Sequence, residues 1–204
     1  MADDPSTALL IIDMFSRFDF PGAQELAPAA ERAARQIRRL RDHFDERGWP
    51  VIYANDNFSD WKRDFRQQVE QCRRDGGPAG RIASLLSPLP GHYFVLKPKH
   101  SAFLASPLPI LLAKLGVRRL CLSGMTADSC VLATALDANA REFDVLLAPE
   151  VVAGLPSRKR RALALLADSG AARIARLSSL VSGQEAGGPL KAAQARSAIP
   201  CTPA

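Results

Sequence analysis

Six short apolar runs, each too continuous to alternate between a wet and a dry face, limit what this chain can fold into. In order they are TALLIID (7–13), PVIYAND (50–56), YFVLKP (93–98), RRLCLSG (118–124), DVLLAPE (144–150) and ARIARL (172–177). A strand with one solvated face reads as an alternation, so runs of this kind belong to strands covered on both faces, as in a parallel sheet. Helical patterns fill the gaps. Residues 28–47 carry Ala30, Ala33, Ala34, Ile37, Leu40 and Phe44 near a 3.6 period and stop at Gly48, with Pro50 beyond it. Shorter helices are expected over 106–115, over 129–141, and over 157–168 with Ser157 as its cap. The least regular stretch, 58–92, reads as a helix near 62–73 followed by a Gly/Pro-rich loop.

This alternation predicts an α/β fold of three layers (α/β/α): a doubly wound, mostly parallel, six-stranded Rossmann-like sheet whose site lies at the carboxyl ends of the strands. The 204 residues and 47% hydrophobic content suffice for one core, assigned to residues 1–182. Past Ser182 the periodicity disappears, and 183–204 is expected to be a flexible tail.

Charge and cysteine usage narrow the function classes. The net charge of +6 comes largely from arginines interleaved with apolar residues at helical spacing, which reads as solvated helix faces and not as a nucleic-acid site. Cys72, Cys121, Cys130 and Cys201 form no CxxC pair and no zinc spacing, the N-terminal residues lack a signal-peptide pattern, and no run is long enough to span a bilayer. The expectation is a cytoplasmic protein without a membrane or nucleic-acid partner, acting on a small molecule.

Three polar residues fall at strand ends: Asp13 after ALLII, Lys97 after YFVL and Cys130 just beyond LCLSG. A desolvated charge at such a place costs several kcal/mol unless it is paired, so Asp13 and Lys97 are expected to meet. The residues alone leave two readings, a buried ion pair beside a core cysteine or a site with a nucleophile. The second is favoured by the position of Cys130 near a helix N-terminus, where free N–H groups and the macrodipole lower a thiol pKa, with Lys97 lowering it further. The turn in SGMTADSC could aim backbone N–H groups at an oxyanion.

In that order and separation, ALLIIDM, VLKPKHSAF and LSGMTADSCVLATALDANAREFDVLLAPE resemble the isochorismatase-like cysteine hydrolase family, which includes nicotinamidases and N-carbamoylsarcosine amidohydrolases, over about residues 7–180. The resemblance implies an Asp13–Lys97–Cys130 triad without a cofactor. It also implies a cis peptide at Met125–Thr126, with the N–H groups of Thr126 and Cys130 as oxyanion hole. A nicotinamidase-type metal site is not expected, because Asp56 is followed two places later by Phe58 and not by histidine, and His43, His92 and His100 lack ligand spacing. The expected reaction is hydrolysis of a small amide, carbamoyl or related acyl compound. The alternative is a non-catalytic small-molecule binder or thiol redox sensor of the same fold. Phe18, Asn57, Trp61 and Phe103 are the candidate pocket residues. Family habit and alanine-rich helix faces predict a homodimer or homotetramer.

Overall fold

Continuous burial turns the apolar runs into strands: β1 (Thr7–Ile12), β2 (Val51–Asp56), β3 (Tyr93–Lys97), β4 (Arg119–Met125), β5 (Asp144–Ala153) and β6 (Arg173–Ile174). The computed structural model describes residues 6–57 and 61–182. Phe58, Cys201 and the tail expected over 183–204 lie outside the described residues. The strand order is β3-β2-β1-β4-β5-β6 and every pairing is parallel, so the sheet is wholly and not mostly parallel. All residues of β1 and β4 are buried, as strands covered on both faces must be.

The helices are α1 (Ala23–Glu46), α2 (Phe65–Asp75), α3 (Gly77–Leu85), α4 (Leu108–Lys114), α5 (Leu132–Ala140), α6 (Pro156–Asp168) and α7 (Leu177–Ser182), with a π-helical turn (Ala127–Val131) leading into α5. On one face α1 lies across β5, β4 and β1 with α3 and α7 beside it, and α5 and α6 pack together on the other. Burying Ile37 and Leu40 of α1 completely contributes about 1.5–3 kcal/mol each. No helix among the described residues is long and apolar enough to cross a membrane.

Several sequence expectations are corrected. α1 starts five residues before Pro28, which falls in its second turn, where the missing N–H leaves a single carbonyl without its helical donor. The Gly/Pro-rich loop contains α3: Pro78 sits in its first turn, where proline is tolerated, and Ala79, Ile82 and Ala83 are buried. α2 is set by a capping box between Asp64 and Gln67. Leu155, not Ser157, holds the N-cap position of α6. The sixth run makes only a two-residue edge strand before turning into α7.

At the opposite end of the sheet from the site, the fully buried Arg119 binds Asp144 at 2.8 Å and Arg173 reaches the same carboxylate at 3.2 Å. These are the first residues of β4, β5 and β6, so one charge cluster fixes their relative register. At the site end, β4 approaches β1 so closely that a Cβ on Gly124 would lie 2.0 Å from the Ile12 carbonyl oxygen, and Gly124 has φ +113. Gly124→Ala should therefore cost about 3 kcal/mol or more, lowering Tm by about 6–12 °C. At Gly116 (φ +66) an added Cβ meets nothing, and the same change should cost about 1–2 kcal/mol. Calorimetry of the two variants checks the contrast.

Candidate active site

The chain order places β1 and β4 side by side at the point where connections leave the sheet in opposite directions, the place where an open α/β sheet forms a crevice. Asp13 follows β1 directly, in a left-handed conformation (φ 52) that aspartate adopts more readily than most residues. Its N–H donates to Ala54 O at 3.0 Å, and its Oδ1 accepts the Asp56 N–H at 2.6 Å. Asn55, buried at the end of β2, grips the backbone beyond Asp13. Its Oδ1 accepts the Phe15 N–H at 3.0 Å, and its Nδ2 donates to Phe15 O at 3.0 Å and Asp56 O at 3.1 Å. Gln68 of α2 donates to the same two carbonyls at 3.2 and 2.9 Å. The turns after β1 and β2 are thus joined through amide side chains.

Lys97 ends β3 with 0% exposure. Its Nζ lies 2.8 Å from Asp13 Oδ2, 3.7 Å from Asp56 Oδ2 and 3.7 Å from Cys130 Sγ. Burial opposes the ammonium charge, but the Asp13 carboxylate and then Cys130 outweigh it and hold the Lys97 pKa above its ordinary value. For Asp13, burial dominates over the attraction of Lys97 and the bonds from Cys130, Lys97 and Asp56, so its pKa is raised. Lys97 thus faces a carboxylate that is more basic than a solvated one.

Cys130 comes from the other side of the crevice. β4 ends at Met125, the Met125–Thr126 peptide is cis, and the chain enters the π-helical turn with Ser129 N–H and Val131 N–H both donating to Thr126 O, at 3.1 and 3.2 Å. Cys130 is the fourth residue of that turn, partly exposed, in the first turn of the helical segment that continues as α5. The helix thus begins two residues earlier than the sequence suggested, and in a π form of a kind often found at functional sites. The expected lowering of the thiol pKa is overturned. Burial, then the negative Asp13, push it up to about 12, outweighing Lys97 and the Ser129 hydroxyl. The resting group is a thiol hydrogen-bonded to a basic carboxylate.

The pocket candidates differ widely in burial. Phe18 is half-buried and stacks on Phe20 with centroids 6.1 Å apart. Asn57 is buried, its N–H donating to Lys97 O at 3.2 Å. Trp61 is 77% exposed. Phe103, 3% exposed, is a core residue: it packs on Phe143, and Arg141 covers its ring at 5.2 Å. Sequence reasoning missed Asn55 and Asp56 as parts of the site. Their signal is the polar run NDN (55–57) at a strand end, in which the sequence reading weighs Asp56 only as a metal ligand and Asn57 only as a pocket residue. Among the described residues no group of three His, Cys, Asp or Glu side chains is placed to hold a metal ion. A groove of about 950 Å³ between α1, β5 and α7 contains none of Asp13, Lys97 and Cys130; chemistry, not concavity, locates this site.

Comparison with known proteins shows the family and the fold. The Isochorismatase domain matches residues 7–176. The isochorismatase family protein YaaI of Bacillus subtilis is 35% identical over 146 residues, covering 72% of this chain and 80% of its own. A maleamate amidohydrolase of Pseudomonas putida is 29% identical over 153 residues, covering 71% of each. A crystal structure of an isochorismatase family protein from Desulfovibrio vulgaris superposes with a TM-score of 0.70 at 26% identity, covering 88% of this chain and 98% of that one.

Asn55 gives a test of how the turns hold the site. Asn55→Ala removes three hydrogen bonds and leaves the Phe15 N–H without its side-chain acceptor in a buried position, at a cost of about 2–4 kcal/mol. Urea unfolding should show that loss in the midpoint with an unchanged slope.

Proposed function

Because this chain belongs to the isochorismatase family, we propose that it is a hydrolase of small amide, carbamoyl or related acyl compounds working through a thioester on Cys130. The observation that carries the reading is the convergence of three strand-end residues from β1, β3 and the turn after β4: Lys97 Nζ lies 2.8 Å from Asp13 and 3.7 Å from Cys130. The similarity to a maleamate amidohydrolase supports a carbon–nitrogen bond as the target.

The protonation states dictate the order of events. Burial and the neighbouring Asp13 push the Cys130 thiol up to about 12, so the group that rests at pH 7 is the thiol. Attack must therefore coincide with transfer of the thiol proton to Asp13, whose raised pKa suits it to receive it. The sulfur bonds to the acyl carbon, and the oxyanion is held by the N–H groups of Thr126 and Cys130. Protonated Asp13 then gives its proton to the departing nitrogen as the carbon–nitrogen bond breaks. Water enters, Asp13 takes its proton, oxygen bonds to the acyl carbon, and the sulfur leaves and regains the proton from Asp13. Lys97 stays charged throughout and offsets the negative charge as it moves between Asp13 and the sulfur.

A thiol this weakly acidic argues against a peroxide sensor, which needs an accessible thiolate. Assembly as a homodimer or homotetramer belongs to the same proposal, supported by the exposed apolar side chains of Leu104, Ile110 and Leu136.

Ammonia release over a panel of small amides and ureides tests the reading. Cys130→Ala should reduce turnover of any substrate found by at least about 10³-fold, and undiminished turnover would sink the proposal. In the wild type, kcat/KM should rise with pH as Asp13 ionises, with a midpoint above the ordinary 3.8, and hold until Lys97 loses its proton above 10.5. A midpoint at or below 3.8 would remove Asp13 as the base.

A further inference from the structure

The sulfur of Cys130 has one polar neighbour that the steps above leave idle. Ser129 Oγ lies 3.9 Å from Cys130 Sγ, and His100 Nδ1 lies 3.2 Å from Ser129 Oγ. His100 is exposed, so its ring is not there to fill a core. It is nevertheless held in place, because the residues that follow it are tied to α5, the helix that extends the turn of Cys130. Ser101 Oγ donates to Asp137 Oδ2 at 2.6 Å, and the Ala102 N–H donates to Thr134 Oγ1 at 3.0 Å. The loop after β3 is thus fastened to α5 just where the imidazole meets the serine.

A hydroxyl has one proton to give and two lone pairs with which to accept. If the imidazole donates from Nδ1, Ser129 Oγ accepts there and its own proton is left to point elsewhere, with the Cys130 sulfur 3.9 Å away. We propose that His100 and Ser129 form a second hydrogen-bonding arm on Cys130, in which His100 Nδ1–H donates to Ser129 Oγ and turns the serine hydroxyl toward the sulfur as the thiolate develops. The arm rests on the reading of Cys130 as nucleophile. Both residues are positioning residues. No proton leaves either of them, since the thiol proton still passes to Asp13. The thiolate then has two donors of different kinds: the buried ammonium of Lys97, and a hydroxyl that is neutral and partly exposed.

The charged groups around this arm are Asp13 and Lys97 beside the sulfur, Asp56 beside Lys97, Lys99 beside His100 in sequence, and Asp128 beside Ser129 in sequence. Asp128 lies 3.7 Å from Arg158, and Asp137 lies 3.7 Å from Arg141. Because the neutral Nδ1–H tautomer and the imidazolium both donate from Nδ1, the arm works whether or not His100 carries a charge.

The test needs no substrate. Iodoacetamide alkylation of Cys130, located by peptide mass spectrometry, is followed against pH in the wild type and in Ser129→Ala, His100→Ala, the double variant and His100→Asn. Each single alanine variant should slow alkylation by about three- to ten-fold near pH 8 and move the profile to higher pH, with Tm unchanged. The double variant should be no slower than Ser129→Ala, because His100 acts only through the serine. His100→Asn, which keeps a donor near the Nδ1 position, should recover part of the rate. Unchanged profiles in either single variant, or losses that multiply in the double, would overturn the arm while leaving Cys130 as nucleophile. A wild-type Cys130 that resists alkylation at every pH would remove both.

Discussion

A lysine ammonium with no exposure to water needs a counter-charge within bonding distance, and in this fold the need is met from neighbouring strand ends. Lys97 reaches past the end of β2 to Asp13 at 2.8 Å, with Asp56 at 3.7 Å. Desolvating such a charge costs several kcal/mol, which is recovered only while the partner stays in place. The position of Asp13 accordingly becomes a structural requirement. The left-handed backbone at Asp13, the Asn55 and Gln68 amides that bind Phe15 and Asp56, and the absence of a side chain at Gly124 all serve that one placement.

The same ion pair explains why the cysteine is poised and not already ionised. A thiol beside a lone ammonium would be acidic, but this ammonium is already neutralised by a carboxylate that also faces the sulfur. The result is a thiol whose proton has an adjacent acceptor, the arrangement that the proposed thioester chemistry uses. Fastening the loop after β3 to α5, through Ser101 with Asp137 and Ala102 with Thr134, keeps Lys97 and Cys130 in register although their strands are not adjacent.

Much of this was legible in the sequence, and the reasons differ by element. The strands were readable because burial on both faces leaves an unbroken apolar signature, and Asp13, Lys97 and Cys130 stood out as polar residues where such runs end. α3 was hidden because Gly77, Pro78 and Gly80 mask a helix that its buried Ala79, Ile82 and Ala83 stabilise through tertiary contact. The direction of the thiol shift was misread because helix position is visible in sequence whereas desolvation and the distance to Asp13 are not. Phe103 looked like a pocket residue by its nearness to Lys97, but side-chain direction sends it into the core against Phe143. The Arg119–Asp144–Arg173 cluster left no pattern, since its members meet only through strand register.

The claim that one carboxylate governs both the lysine and the thiol is tested most directly by the pH dependence of Cys130 alkylation in Asp13→Asn beside the wild type. Removing the negative charge takes away a cause that raises the thiol pKa and leaves the Lys97 ammonium facing the sulfur. The account predicts that the thiol of Asp13→Asn ionises at clearly lower pH than that of the wild type and reacts faster near neutrality. A profile unchanged from the wild type, or displaced to higher pH, would contradict it.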